Sequence, residues 1–297
     1  MAKVEDWQLK QRQSLPLAVK IDRSKQIIRN WYEANNGNVY VAFSGGKDST
    51  VMLHLIRSIY PDVKAVYCDT GLEYPELKEF VKQTPNTEII RPTMTFNQVI
   101  DKYGYPIISK TVSMSISRYR NTKDPIQKEY RMFGIKEGKF IGKAGVIPKK
   151  WRYLIDAPFK ISEQCCEVMK KQPFHRYEKE TGLKPFIGLM ANDSNSRKIY
   201  YMKNGCNAFD SKNPKSLPIG FWLESDIWDY IKEFKIPYCS IYDTGVKRTG
   251  CMFCMFGIMK DDPNNNRFDI MAKTHPQIHK YCMEKLGMKE ILKEILK

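Results

Sequence analysis

The sequence contains no uninterrupted apolar run approaching the ~18–20 residues that a membrane helix needs. Its opening stretch, MAKVEDWQLKQRQSLPLAVKIDRSKQ, also lacks the apolar segment of a secretory signal. These absences predict a cytoplasmic protein with no membrane partner. No internal repeat and no low-complexity segment occur, and a hydrophobic content of 42% in 297 residues argues against disorder. Negative charge is scarce: 33 Asp and Glu stand against 49 Lys and Arg, a net charge of +16. A positive field of this kind concentrates anions and points to a polyanionic partner or substrate. The excess is greatest from Lys110 to Lys160, which also contains several aromatic residues. Bases could stack on those rings while cations hold phosphates. Arg118, Arg120, Lys149, Lys150 and Arg152 are the candidate nucleic-acid contacts.

What is present reads as alternating strand and helix. VYVAFS is a short apolar run of the buried parallel-strand kind, and DSTVMLHLIRSIY then switches to helical spacing. AVYCDTG is a second strand, PELKEFVKQ a helix with proline in its first turn, TEIIRP a third strand, and FIGLMA a fourth. The alternation predicts an α/β fold, a doubly wound parallel sheet with helices on both faces. Residues 1–24 read as a polar lead-in. Residues 106–160 break the rhythm and are expected to be a basic insertion within an α/β domain spanning 1–266. A lysine-rich helical tail is expected over 267–297.

The loop SGGKDS after the first strand has glycines, a lysine and hydroxyls, but it is not a Walker A loop. In that motif the lysine is followed directly by a Mg2+-binding hydroxyl, whereas Lys47 is followed by Asp48. The physics of phosphate binding still applies. Gly45 and Gly46 permit close backbone approach, and Ser44, Ser49 and Thr50 offer hydroxyls. The helix starting near Asp48 offers unpaired amides and a positive dipole end. Ser44, Lys47 and Asp48 are the candidate catalytic residues.

SGGKDS resembles the PP-loop of the ATP-pyrophosphatase superfamily (adenine nucleotide alpha hydrolase-like). YCDTGLEYPE resembles the DTG segment of the phosphoadenylyl-sulfate and adenylyl-sulfate reductase family. Leu217 to Cys254, LPIGFWLESDIWDYIKEFKIPYCSIYDTGVKRTGCMFC, resembles a further block of that family. The resemblance implies a PP-loop fold that binds ATP or adenylyl sulfate and acts at the α-phosphate, with Mg2+ held by Asp48 or Asp69. It carries phosphate or nucleotide contacts over to Ser44, Gly45, Gly46, Lys47, Asp48, Ser49 and Thr50. It adds Asp69, Thr70 and Gly71 in the DTG segment, and Ser194 and Arg197 further on.

Eight cysteines in a chain expected to be cytoplasmic suggest metal ligands, redox groups or core fillers rather than disulfides. Cys165 and Cys166 are adjacent, and Cys251 and Cys254 form CxxC. Zinc and an iron–sulfur cluster both take four thiolates. Adjacent residues reach one small tetrahedral ion poorly, whereas a cube spreads its ligand positions. The pattern is similar to the cluster motif of adenylyl-sulfate reductases, which implies a [4Fe-4S] cluster on Cys165, Cys166, Cys251 and Cys254.

Two departures from the family pattern bear on function. Reductases carry a catalytic cysteine in an ECG.H motif, and no such motif surrounds Cys282, which is the candidate nucleophile by position and is expected to be a helix residue. In GLMANDSNSRK, Met190 replaces an arginine and Asp193 a glutamate, which removes an anion contact. Three functions follow as expectations. The first is an ATP pyrophosphatase that adenylylates an acceptor for sulfur transfer, with nucleic acid and a sulfur-donor protein as partners. The second is an adenylyl-sulfate or phosphoadenylyl-sulfate reductase that makes sulfite with a thioredoxin-like partner. The third is a non-catalytic nucleic-acid-binding module.

Overall fold

The computed structural model describes residues 3–296. Met1, Ala2 and Lys297, at the ends of the expected lead-in and tail, lie outside the described residues. The chain divides into two compact units. The first comprises residues 3–69, Glu73–Arg91 and Pro173–Thr249. The second comprises Thr70–Leu72, Pro92–Gln172 and residues 250–296. The basic segment lies in the second unit. It shares a unit with the C-terminal segment, whose Phe268, Met271, Ile291 and Ile295 are buried.

The first unit is built on a six-stranded, mainly parallel sheet. Its order is Thr87–Ile90, Ala65–Cys68, Val39–Phe43, Lys184–Ile187, Lys215–Ser216 and Asn207–Ala208. Only the last pair is antiparallel. Period-2 alternation sends the side chains of Val39–Phe43 to opposite faces. Tyr40 meets Phe174 and Tyr177 of the helix Gln172–Thr181, while Phe43 meets Phe80 of the helix Pro75–Gln83. Both faces are thus covered, as a doubly wound sheet requires. The order builds outward from Val39–Phe43 in one direction through two strands, then resumes on its other side with Lys184–Ile187. That reversal is a topological switch point, where open α/β sheets hold ligands beyond the carboxyl ends of the strands.

The expected polar lead-in is helical, over Asp6–Gln13 and Leu17–Ala34. It is held by distant partners. Lys20 Nζ lies 2.6 Å from Asp226 Oδ2, and both residues are buried. Ser24 Oγ donates to the Pro218 carbonyl at 2.8 Å and accepts from Trp222 Nε1 at 3.0 Å.

The second unit is mostly helical, with Phe96–Tyr103, Lys110–Asn121 and Pro125–Phe133 followed by a 3-10 segment, Lys149–Asp156. A short parallel ladder pairs Ile107–Ile108 with Met255–Phe256. Among the described residues no helix is long and apolar enough to cross a membrane.

Candidate functional site

In the first unit, the strand Val39–Phe43 hands directly to Ser44–Gly46 and the helix Lys47–Arg57. Gly45 has φ +71°, and a Cβ there would sit 2.9 Å from Val81 Cγ2. At Gly46 a Cβ would meet Thr249 Oγ1 at 2.8 Å. Gly45 is therefore demanded by backbone conformation and close packing, and Gly46 by close packing alone. The Ser44 and Ser49 hydroxyls lie 3.0 Å apart, and Ser49 Oγ and Thr50 Oγ1 both donate to the Gly46 carbonyl. These bonds lock the turn. The amides of Asp48 and Ser49, in the first helical turn, have no partner inside the helix.

Lys47 is the centre of this arrangement. It is 4% exposed, and its Nζ lies 3.2 Å from Asp48 Oδ1 and 3.1 Å from Glu224 Oε1. Burial works against its ammonium, but Asp48 and Glu224 more than offset that and raise its pKa above the ordinary lysine value. Its backbone amide donates to the Tyr242 hydroxyl at 3.0 Å, which in turn lies 3.1 Å from Thr249 Oγ1. Burial raises the Asp48 pKa, opposed by Lys47 and reinforced by Asp193 and Glu224.

The other expected nucleotide contacts divide. Asp69, at the end of Ala65–Cys68, is held by Lys78 Nζ at 2.9 Å with Arg91 Nε at 3.8 Å. Both candidates for Mg2+ are thus paired with a lysine, Asp69 with Lys78 and Asp48 with Lys47, and Asp48 has the carboxylates of Asp193 and Glu224 near it besides. Thr70 and Gly71 belong to the second unit, where Thr70 Oγ1 accepts from the Leu72 amide. Ser194 caps the helix Asn195–Asn204 by accepting from the Arg197 amide, and the Arg197 guanidinium pairs with Asp193. Asp193 also accepts from the Met190 amide at 3.1 Å. Glu224, Tyr242 and Thr249 were not singled out in the sequence, although all three lie in the Leu217–Cys254 block.

In the second unit, Cys165 and Cys166 enter a helix that widens at once into a π turn, Glu167–Lys171. Such turns mark functional sites in many helices. Cys251 and Cys254 flank a turn closed by the Cys254 amide on the Cys251 carbonyl at 3.1 Å. None of the four is in a disulfide. Burial raises the Cys165 pKa, and the neighbouring Cys251, Cys166 and Cys254 raise it further. Burial also raises that of Cys254, which Arg267 and Lys170 counter. The sequence pattern thus brings all four thiols into one electrostatic group. Their donor set is all sulfur, which suits zinc or an iron–sulfur cluster. Among the described residues, no group of three or more His, Cys, Asp or Glu is placed to hold a metal ion. Arg267 supports the CxxC loop. It donates from Nη1 to the Cys254 and Phe256 carbonyls at 3.2 and 3.1 Å, and Asp261 grips its Nε at 2.6 Å and its Nη2 at 2.8 Å.

Cys282 is fully buried, its Sγ 3.1 Å from Met288 Sδ, and burial pushes its pKa up to about 12. A nucleophilic thiol needs the opposite: access and a lowered pKa. Of the five candidate nucleic-acid contacts, Arg118, Lys149 and Lys150 are exposed. Arg120 instead donates to the carbonyls of Leu154, Ile155, Ala157 and Phe159. Arg152 donates to those of Met132 and Ile147. These two guanidinium groups serve the fold of their own unit.

The sequence model of the phosphoadenosine phosphosulfate reductase domain matches residues 38–107 and 93–256. An uncharacterized protein of Methanocaldococcus jannaschii is 27% identical over 231 residues, covering 76% of this chain and 38% of its own length. This chain therefore spans well under half of that relative. The adenosine 5'-phosphosulfate reductase of Staphylococcus haemolyticus is 23% identical over 261 residues, 85% of each chain. Among solved structures, the phosphoadenylyl-sulfate reductase of Candida auris in its phosphate complex is 16% identical with a TM-score of 0.45, covering 84% of this chain and 96% of its own.

Proposed function

The chain belongs to the phosphoadenosine phosphosulfate reductase domain family, and from that premise we propose that it is an ATP-using enzyme that acts at the α-phosphate and releases AMP and pyrophosphate during sulfur transfer. The observation that carries this reading is the buried Lys47 ammonium at the head of a helix, beside two glycines and three hydroxyls. An acceptor oxygen attacks the α-phosphorus, and the bond to the bridging oxygen of pyrophosphate breaks. Lys47 and the first-turn amides stabilise the charge on the leaving pyrophosphate. The acceptor is left as an adenylate, from which a sulfur nucleophile displaces AMP. Mg2+ would be held at Asp48, where Asp193 and Glu224 add negative charge. Cys165, Cys166, Cys251 and Cys254 would hold a [4Fe-4S] cluster, a group that takes four thiolates. Bound there, the cluster would supply a carrier or a positioned charge for sulfur.

A second reading, reduction of adenylyl sulfate or phosphoadenylyl sulfate to sulfite, is favoured by the similarity to the Staphylococcus haemolyticus reductase. It needs a thiolate to attack sulfur. The burial of Cys282 and its raised pKa count against that reading and in favour of the first.

The test uses anaerobically purified protein with its iron content measured. One reaction receives ATP and Mg2+, with water standing in as the acceptor oxygen so that its attack gives AMP and pyrophosphate, and the other receives adenylyl sulfate with thioredoxin. Pyrophosphate and AMP from ATP, without sulfite from the second reaction, are expected. Sulfite production, or ADP in place of AMP, would overturn the proposal.

A further inference from the structure

The second unit carries one segment with a large excess of positive charge. From Lys110 to Lys160 there are thirteen lysines and arginines against four acidic residues, in a chain of net charge +16. Among the described residues, no ion pair uses any of these cations. Arg120, Arg152 and Lys160 bind backbone carbonyls, and most of the rest face water.

Two features in this segment point to a ligand. The first is a two-stranded antiparallel hairpin, Ile135–Lys136 with Lys139–Phe140, turned by Glu137 and Gly138 at φ 51° and 73°. Lys136 and Lys139 stand directly opposite each other across it. Like charges in that position destabilise a hairpin, and a polyanion would relieve them. Phe140 on the same hairpin is 64% exposed, and Phe133 just before it is 54% exposed. The second is a cavity of about 390 Å³ lined by Arg118, Asn121, Thr122, Gln127 and Arg131. Arg131 is 9% exposed, and its Nη1 donates to the Gly145 carbonyl at 3.1 Å. Its Nε is buried with no hydrogen-bond partner. A buried charged donor in that state is a liability that an anion in the cavity would offset.

These features are contiguous. Arg131 and Phe133 share the last turn of the helix Pro125–Phe133, Gly134 caps it at φ 76°, and the hairpin starts at the next residue. The Arg152 guanidinium lies 5.1 Å from the centre of the Phe133 ring. We propose that this surface binds single-stranded nucleic acid. The Arg118–Arg131 cavity takes one phosphodiester, Lys136 and Lys139 take its neighbours, and Phe133 and Phe140 stack on unpaired bases. Exposed rings favour unstacked bases over a closed duplex, which hides their faces. The inference rests on the proposed function only in treating the bound strand as a sulfur acceptor.

The test is fluorescence anisotropy on the full chain without ATP. It uses labelled 20-mers of single-stranded RNA and DNA and the matching duplex, with phosphatidylserine vesicles as a separate arm. At least one single strand should bind more tightly than duplex and vesicles. Three phosphate contacts should give a slope of about −2 for log affinity against log salt. Lys136→Gln with Lys139→Gln should flatten that slope by about 1.4. Phe140→Ala should weaken binding about tenfold with the slope unchanged. Circular dichroism confirms folding of each variant. No binding at low salt, equal affinity for duplex with Phe140→Ala silent, or a preference for vesicles would overturn the inference. Pyrophosphate release from ATP with water as the acceptor, in the absence of nucleic acid, is measured on the same variants and should be unchanged, so failure of the surface and failure of the nucleotide reading remain distinct.

Discussion

Replacing Lys47 by methionine separates charge from packing. The side chain is buried, and methionine keeps an unbranched stem of similar volume, so the change removes an ammonium without opening a large cavity. The substitution breaks the pairing of Nζ with Asp48 at 3.2 Å and with Glu224 at 3.1 Å. The Asp48 side chain is 29% exposed and that of Glu224 50%, so water can replace the ammonium at both. Screening of such partly exposed pairs keeps the stability cost near ~1 kcal/mol. The chemical effect is of a different order. Removing one preorganised group that stabilises charge in a transition state costs about 10²–10³ in rate, or about 3–4 kcal/mol. Pyrophosphate release from ATP should therefore fall by about that factor while the thermal melt moves by only a few degrees. Both are read on one preparation, by coupled pyrophosphate detection and by circular dichroism. Release at the native rate from a folded variant would refute the assignment of Lys47 to the leaving group. Collapse of the melt would show instead that the ammonium is structural.

Cys251→Ser should remove iron and visible absorbance, and Cys282→Ser should keep both; an unchanged brown colour in the first would sink the ligand assignment. Asp226→Ala leaves the buried Lys20 ammonium unpaired and should cost about 3–5 kcal/mol in denaturant unfolding. A cost under about 1 kcal/mol would mean that Lys20 finds water. The Arg267 guanidinium holds the Asp261 pKa below the ordinary carboxylate value, against a smaller effect of burial. A depressed carboxylate contributes stability above its unfolded pKa and loses it as pH falls through the folded one. Asp261→Asn should thus weaken the protein at neutral pH and flatten its decline below about pH 4, as read in melts across pH; a decline identical to wild type would reject the coupling. The same variant should lose iron faster to a chelator if Arg267 needs Asp261 to hold the CxxC loop.

The strands, their helices and the phosphate loop were legible because their causes are local. Short apolar runs become strands of a covered sheet, Gly45 and Gly46 allow a tight turn, and Pro75 starts a helix. The two cysteine pairs were legible by residue type and spacing. The partners of these groups were not, since they come from far along the chain. Glu224 reaches Lys47 from a distant part of the sequence, and no periodicity announces it. The lead-in looked polar because Lys20 and Ser24 count as surface residues until Asp226, Pro218 and Trp222 are placed against them. Arg120 and Arg152 looked like free cations until backbone carbonyls closed around them. By itself the sequence determined which backbone could form and which chemical groups were available, because propensity and turn chemistry act over a few residues. Only the tertiary structure decided which charges are neutralised and which cations still face water, because those depend on burial and on distances that folding alone creates.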